Sequence, residues 1–123
     1  MGKRILEVGN CAADHAAICS LIEKQFEAEV VQAHTTDEAL SALSDGSFDL
    51  VLINRVLDRD QSDGLELIRK IKSHRGLGDV PTMLISNYPE YQQRAVEAGA
   101  APGFGKSELN DPGTLKRLKE ILG

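Results

Sequence analysis

The sequence predicts an α/β fold: a doubly wound, five-stranded parallel sheet in strand order 2-1-3-4-5, with helices on both faces. Two observations carry this expectation. Short apolar runs alternate with stretches of helical periodicity along the whole 123-residue chain. Each of five such runs is followed by a helix, which makes the strands parallel and covers the sheet on both sides. Right-handed crossovers then wind the helices onto both faces, and a site is expected at the carboxyl ends of the strands.

The elements follow in order. Residues 4–8 read as a first strand, and residues 12–27 as a helix with Ile18, Leu21, Ile22 and Phe26 on one face. A second strand spans 29–33. Thr35-Thr36-Asp37-Glu38 has the spacing of a capping box and opens a helix that turns Ala39, Leu40 and Leu43 inward. Strand three is 49–54, and the helix after it starts near Asp63 and buries Leu65, Leu67, Ile68 and Ile71. Strand four is 80–86. Pro89 suits the first turn of the next helix, and Gly99 ends it. A short fifth strand lies at 103–105, and Asp111-Pro112 opens a last helix carrying Leu115, Leu118, Ile121 and Leu122.

A chain of this length forms one domain, 1–123, and buries a core without metal or disulfide staples. A formal net charge of −5 argues against a nucleic-acid surface. Arg69, Lys70, Lys72, His74 and Arg75 cluster late in the third helix, where positive charge complements the helix dipole. No apolar run reaches the roughly 18 residues that span a bilayer, so no membrane association is expected. Cys11 and Cys19 fit neither a zinc pattern nor a disulfide framework, which points to the cytoplasm.

The residues at the strand ends carry the functional signal. Strand one, Ile5-Leu6-Glu7-Val8, runs into Gly9-Asn10. Strand three ends at Asn54, strand four at Ser86, and strand five at Gly103-Phe104-Gly105-Lys106. In this pattern the chain resembles the receiver domain of bacterial two-component response regulators, a flavodoxin-like fold, over residues 3–122. The resemblance implies a protein of phosphorelay signalling. It places paired acids at Gly9 and Asn10, a phosphoacceptor aspartate at Asn54, a hydroxyl at Ser86 and an amine at Lys106.

The departures matter as much as the matches. Three carboxylates with one Lys would give a pocket charge of about −2, which attracts Mg²⁺. Without them the count is about +1, which repels it. Mg²⁺ wants hard oxygen ligands, and phosphoryl transfer depends on the metal. The expectation is therefore no metal, no cofactor, no enzymatic activity, and no phosphoaspartate at Asn54. The position where the family carries a swinging aromatic or His is Gly103, which has no side chain to move, and Phe104 alternates to the other face as core. The domain is expected to act as a phosphorylation-independent, protein-binding pseudo-receiver.

Other readings stay open. The loop at 55–64 is two residues longer than the family's and lacks its Pro. It holds Asp58 and Asp60, candidate substitute acceptors, though a solvated loop with a helix cap at Ser62 or Asp63 is the plainer reading. Glu7 sits in a covered strand, where an unpaired carboxylate is costly, and could pair with Lys106, Arg4 or Arg55. An emptied, mildly positive pocket at Gly9, Asn10, Asn54, Ser86 and Lys106 could hold a small anion. His15, His34 and His74 show no paired carboxylate or metal spacing, and Cys11 reads as a buried thiol. A protein partner (a kinase, an output domain or a second copy in a homodimer) is expected on the face formed by 89–122. Tyr91, Gln92, Arg94, Lys116, Arg117 and Lys119 are its exposed candidates.

Overall fold

The computed structural model describes residues 2–123. Its elements alternate strictly: β1 (Lys3–Val8), α1 (Ala12–Gln25), β2 (Ala28–Ala33), α2 (Thr36–Asp45), β3 (Leu50–Asn54), α3 (Gly64–Ser73), β4 (Thr82–Ile85), α4 (Pro89–Glu97), β5 (Ala101–Phe104) and α5 (Pro112–Leu122). A short 3-10 turn over Lys106–Glu108 bridges β5 and α5. The five strands form one parallel sheet in the order β2-β1-β3-β4-β5, as the alternation predicts.

Strand alternation divides the core in two. Leu6, Val8, Val51, Ile53 and Leu84 face one way, against Ala39 and Leu43 of α2, Leu65, Leu67, Ile68 and Ile71 of α3, and Ala95 of α4. Ile5, Leu50, Leu52, Met83, Ile85 and Phe104 face the other way, against Ile18 and Ile22 of α1 and Leu118 and Leu122 of α5. The central strands are apolar at nearly every position because both faces are covered. Glu7 has the parity of Ile5, so its carboxylate lies under α1.

Helix ends follow the sequence signals. Thr35 Oγ1 accepts from the Glu38 amide at 3.1 Å, while the Glu38 carboxylate accepts from the amide of His34, one residue outside the cap. Asp63, rather than Ser62, caps α3 by accepting from the Leu65 amide at 2.9 Å. Lys72, late in α3, folds its ammonium onto the carbonyls of Val80 (2.7 Å) and Gly78 (3.2 Å), tying the helix to the entry of β4.

Candidate functional site

The carboxyl ends of β1, β3, β4 and β5 bring Gly9, Asn10, Asn54, Ser86 and Lys106 to one end of the sheet. Asn54 anchors this arrangement as a donor. Its Nδ2 donates to the carbonyl oxygens of Gly9 at 3.0 Å and Val56 at 2.8 Å, clipping the end of β1 and the following loop to β3. Two carbonyl partners require an amide nitrogen in that place, because a carboxylate has no proton to give.

The loop after Asn54 exposes its tip, residues 59–61, and is tied down on both sides of it. Val56 pairs with Asp63 in an antiparallel bridge, the Leu57 amide donates to the Ser62 carbonyl at 2.9 Å, and Gln61 adopts a left-handed φ of 61° to close the turn. Leu57 is fully buried in the α2/α3/α4 half of the core. It packs over Gly9, whose φ is +82°: a Cβ there would come within 2.9 Å of Leu57 Cα and closer still to its side chain. The Asp58 amide donates to the Gly9 carbonyl at 3.1 Å. Leu57 thus occupies the space that a side chain at position 9 would need.

Lys106 does not pair with Glu7. Its Nζ donates to Asp14 Oδ2 of α1 at 2.7 Å, with both side chains about one-third exposed. This bond holds the Asp14 carboxyl below the usual range, against a smaller upward push from burial. Asp14 also accepts from the Cys11 thiol at 3.3 Å, and Cys11 is exposed rather than buried. The charge of Lys106 is therefore neutralised from the helix. A side chain pointing back from the first turn of α1 reaches the strand ends, a relation no sequence spacing displays.

Glu7 pairs instead with His15, with Oε2 2.5 Å from Nδ1. The carboxylate is fully buried and its Oε1 makes no hydrogen bond of ordinary geometry among the described residues. Asn10 is also fully buried; among the described residues neither of its amide atoms makes a hydrogen bond of ordinary geometry, though it lies close enough to Glu7 to act on its carboxyl. Burial pushes the Glu7 carboxyl above its ordinary 4.5, and His15, Asn10 and His34 pull against that rise. The consequence for stability has a definite sign. The unfolded chain loses the Glu7 proton near its ordinary value and the folded chain at a higher pH, so stability drains away as pH rises between the two. Glu7→Gln lacks that drain. In metal-free buffer its unfolding midpoint should gain on the parent chain as the pH rises above the ordinary value of 4.5. Parallel pH profiles for the two proteins would contradict the assignment.

The candidate acceptors of the loop are engaged elsewhere. Both oxygens of Asp58 lie 3.2 Å from Nδ1 of His34, just past β2. Asp60 accepts from the amide and hydroxyl of Ser62, which hold its carboxyl below the usual range. His15 and His34 thus each face a carboxylate, contrary to the sequence expectation, because their partners come from other elements.

The switch position is closed as well. A Cβ at Gly103 would run into the Leu84 carbonyl. The adjoining space is taken by Gln92 of α4, whose Nε2 donates to the carbonyls of Leu84 (2.8 Å) and Ser86 (3.1 Å) while Oε1 accepts from the Gly103 amide (3.0 Å). Arg117 donates to the Gly103 carbonyl at 3.1 Å. Tyr91 lies partly under the Arg55 guanidinium, 4.3 Å from the ring centre. Of the six surface candidates, Arg94, Lys116 and Lys119 are exposed, whereas Tyr91, Gln92 and Arg117 are half-buried parts of the frame. Gln92→Ala should lower unfolding stability by about 1–3 kcal/mol, because it leaves carbonyls of β4 and an amide of β5 unpartnered. Urea denaturation measures this; a loss under about 0.5 kcal/mol, the range of an ordinary surface change, would mean the clamp is not used.

Ser86 is nearly buried, and its Oγ accepts from the Tyr88 amide at 3.2 Å. Ser86, Lys106, Asn54 and Tyr88 line a small cleft of about 240 Å³. Phe104, as its alternation predicts, is core. No helix among the described residues is long and apolar enough to cross a membrane.

Comparison with known proteins gives a consistent answer. No curated protein sequence matches the chain. Among solved structures, a response regulator from Thermotoga maritima superposes with a TM-score of 0.80 at 24% identity, covering 99% of this chain and 98% of that one. The signal receiver domain of a DNA-binding response regulator from Colwellia psychrerythraea 34H gives 0.80 at 22%, covering 97% of each. NtrX from Brucella abortus gives 0.77 at 22%; there the match covers 99% of this chain but 27% of NtrX. These likenesses give the fold. The model of the response regulator receiver domain matches residues 11–115, and the chain belongs to that family.

Proposed function

We propose that this receiver domain takes no phosphoryl group at position 54 and signals by binding protein partners irrespective of phosphorylation. The observation that carries this reading is the Asn54 amide, which donates to the Gly9 and Val56 carbonyls beneath a buried Leu57. An amide so used is neither a nucleophile nor an anionic ligand. Positions 9, 10 and 54 lack the carboxylates that would hold Mg²⁺, and Gln92 fills the place of a moving switch residue.

The other readings find less support. Asp58 is tied toward the β2 edge of the sheet by His34, while Lys106 follows β5 at the opposite edge. A small-anion site is disfavoured because Asp14 already compensates Lys106.

Receiver domains interact with kinases and output domains. The groove between α4, β5 and α5, about 450 Å³ in volume, suits such a partner or a second copy. Val96 and Pro102 offer apolar contact there, and Glu108 and Arg117 add one charge of each sign.

Beryllofluoride with Mg²⁺, followed by amide NMR, tests the chemistry, together with intact-mass measurement after acetyl phosphate. The expected result is no shift around residues 54 and 86 and no added mass. Added phosphate that Asp58→Asn or Asp60→Asn abolishes would replace this reading with a loop acceptor.

A further inference from the structure

The buried carboxylate of Glu7 has a second neighbour besides His15. Cys19 lies one turn beyond His15 on α1, with its Sγ 3.4 Å from Nε2 and 3.7 Å from Nδ1 of the imidazole. Residues four apart share one helix face, and this face lies on β1 directly over Glu7. One ligand atom from each of Glu7, His15 and Cys19 falls within 4.8 Å of the other two. We propose that these three side chains form a binding site for a borderline-soft divalent cation, Zn²⁺ above all, separate from the strand-end pocket around Asn54.

Two kinds of observation support it. The first is the donor set. Thiolate, imidazole and carboxylate together are what Zn²⁺ takes, whereas Mg²⁺ and Ca²⁺ prefer all-oxygen shells. Tetrahedral zinc with ordinary bond lengths puts neighbouring donors about 3.4–3.6 Å apart. On the nitrogen that faces Glu7, Nδ1, the sulfur lies at 3.7 Å, about 0.1 Å beyond that range. The Glu7–His15 separation of 2.5 Å opens as the metal takes the place of their shared proton. The second is unsatisfied polarity. Glu7 Oε1 is fully buried and makes no hydrogen bond of ordinary geometry among the described residues, at a place where an orphaned polar group is costly.

The proton balance follows directly. Binding releases the proton shared by Glu7 and His15 and the thiol proton of Cys19, and no oxidant or reductant takes part. His15 is about one-quarter exposed on its side chain and Cys19 is partly exposed, so the cation enters from the outer side of α1. With three protein ligands, water takes the fourth position. The bound ion would pin α1 to β1.

Co²⁺ and Zn²⁺ titrations of the EDTA-treated, reduced chain test the site. One equivalent of Co²⁺ should produce a cobalt–thiolate charge-transfer band that Zn²⁺ bleaches, and Zn²⁺ should raise the melting temperature. Cys19→Ser should abolish the band, and His15→Gln and Glu7→Gln should each weaken binding at least about tenfold, the upper scale of an outer-shell loss being a hundredfold. Cys11→Ser, at the exposed thiol, should change nothing. Circular dichroism of each variant establishes that it is folded, and Cys19→Ala stands in if the serine variant is not. A band that survives loss of Cys19, a band lost with Cys11, or no band at all in the parent chain would overturn the proposal.

Discussion

Gly9→Asp should lower the stability of the fold by about 2–5 kcal/mol, combining left-handed backbone strain with overpacking. The substitution writes back an acid that a receiver carries after its first strand, and it should fail as a repair. Gly9 has a φ of +82°, and the new Cβ would press on the backbone and side chain of Leu57, which is fully buried. The loop cannot move aside freely, because the Asp58 amide and Asn54 Nδ2 both donate to the Gly9 carbonyl. Urea unfolding measures the loss. The same substitution in a Leu57→Ala background should cost at least about 1 kcal/mol less than in the parent, as contacting residues couple. Additive losses would mean that Leu57 is not what excludes the acid.

Asn54→Asp should cost about 2–4 kcal/mol near neutral pH, since the Val56 carbonyl loses its side-chain donor, the Gly9 carbonyl keeps only the Asp58 amide, and a charge faces both. Ordinary experience with receivers would expect the reverse, an aspartate completing a waiting site. Here the aspartate stands against the carbonyl oxygens of Gly9 and Val56 without a proton to share. Lowering the pH should recover part of the loss, because a protonated aspartate can donate to one of the two. A variant as stable as the parent, and further stabilised by millimolar Mg²⁺, would show that position 54 is one substitution from function.

Much of this molecule was legible before its structure. The strand order, the two-faced core and most helix boundaries follow from continuous apolar runs and local caps, which are properties of neighbours in sequence. Thr35, Pro89 and Phe104 behave as their local setting predicts. That positions 9, 10 and 54 carry no acid was legible too, because it is a matter of residue identity at strand ends. What Asn54 does with its amide was not. That depends on where the Gly9 and Val56 carbonyls lie in space.

The pairings of charged groups divide along the same line. Sequence identified Glu7 and Lys106 as groups needing partners, since a carboxylate in a covered strand and a lone amine at a strand end are both conspicuous. For Glu7 it left Lys106, Arg4 and Arg55 open. The structure gives each a partner from α1 instead, His15 for Glu7 and Asp14 for Lys106. Two consecutive helical residues diverge by about 100°, so His15 and Asp14 serve different groups from adjacent positions. Cys19 joins Glu7 only because one helix turn lies over one strand residue. The sequence by itself determined the sheet, the core and the absence of carboxylates at positions 9, 10 and 54, for these rest on local pattern and residue type. Only the tertiary structure decided what took the place of the lost acids, and where a thiol, an imidazole and a buried carboxylate converge, because such contacts depend on how α1 packs across β1.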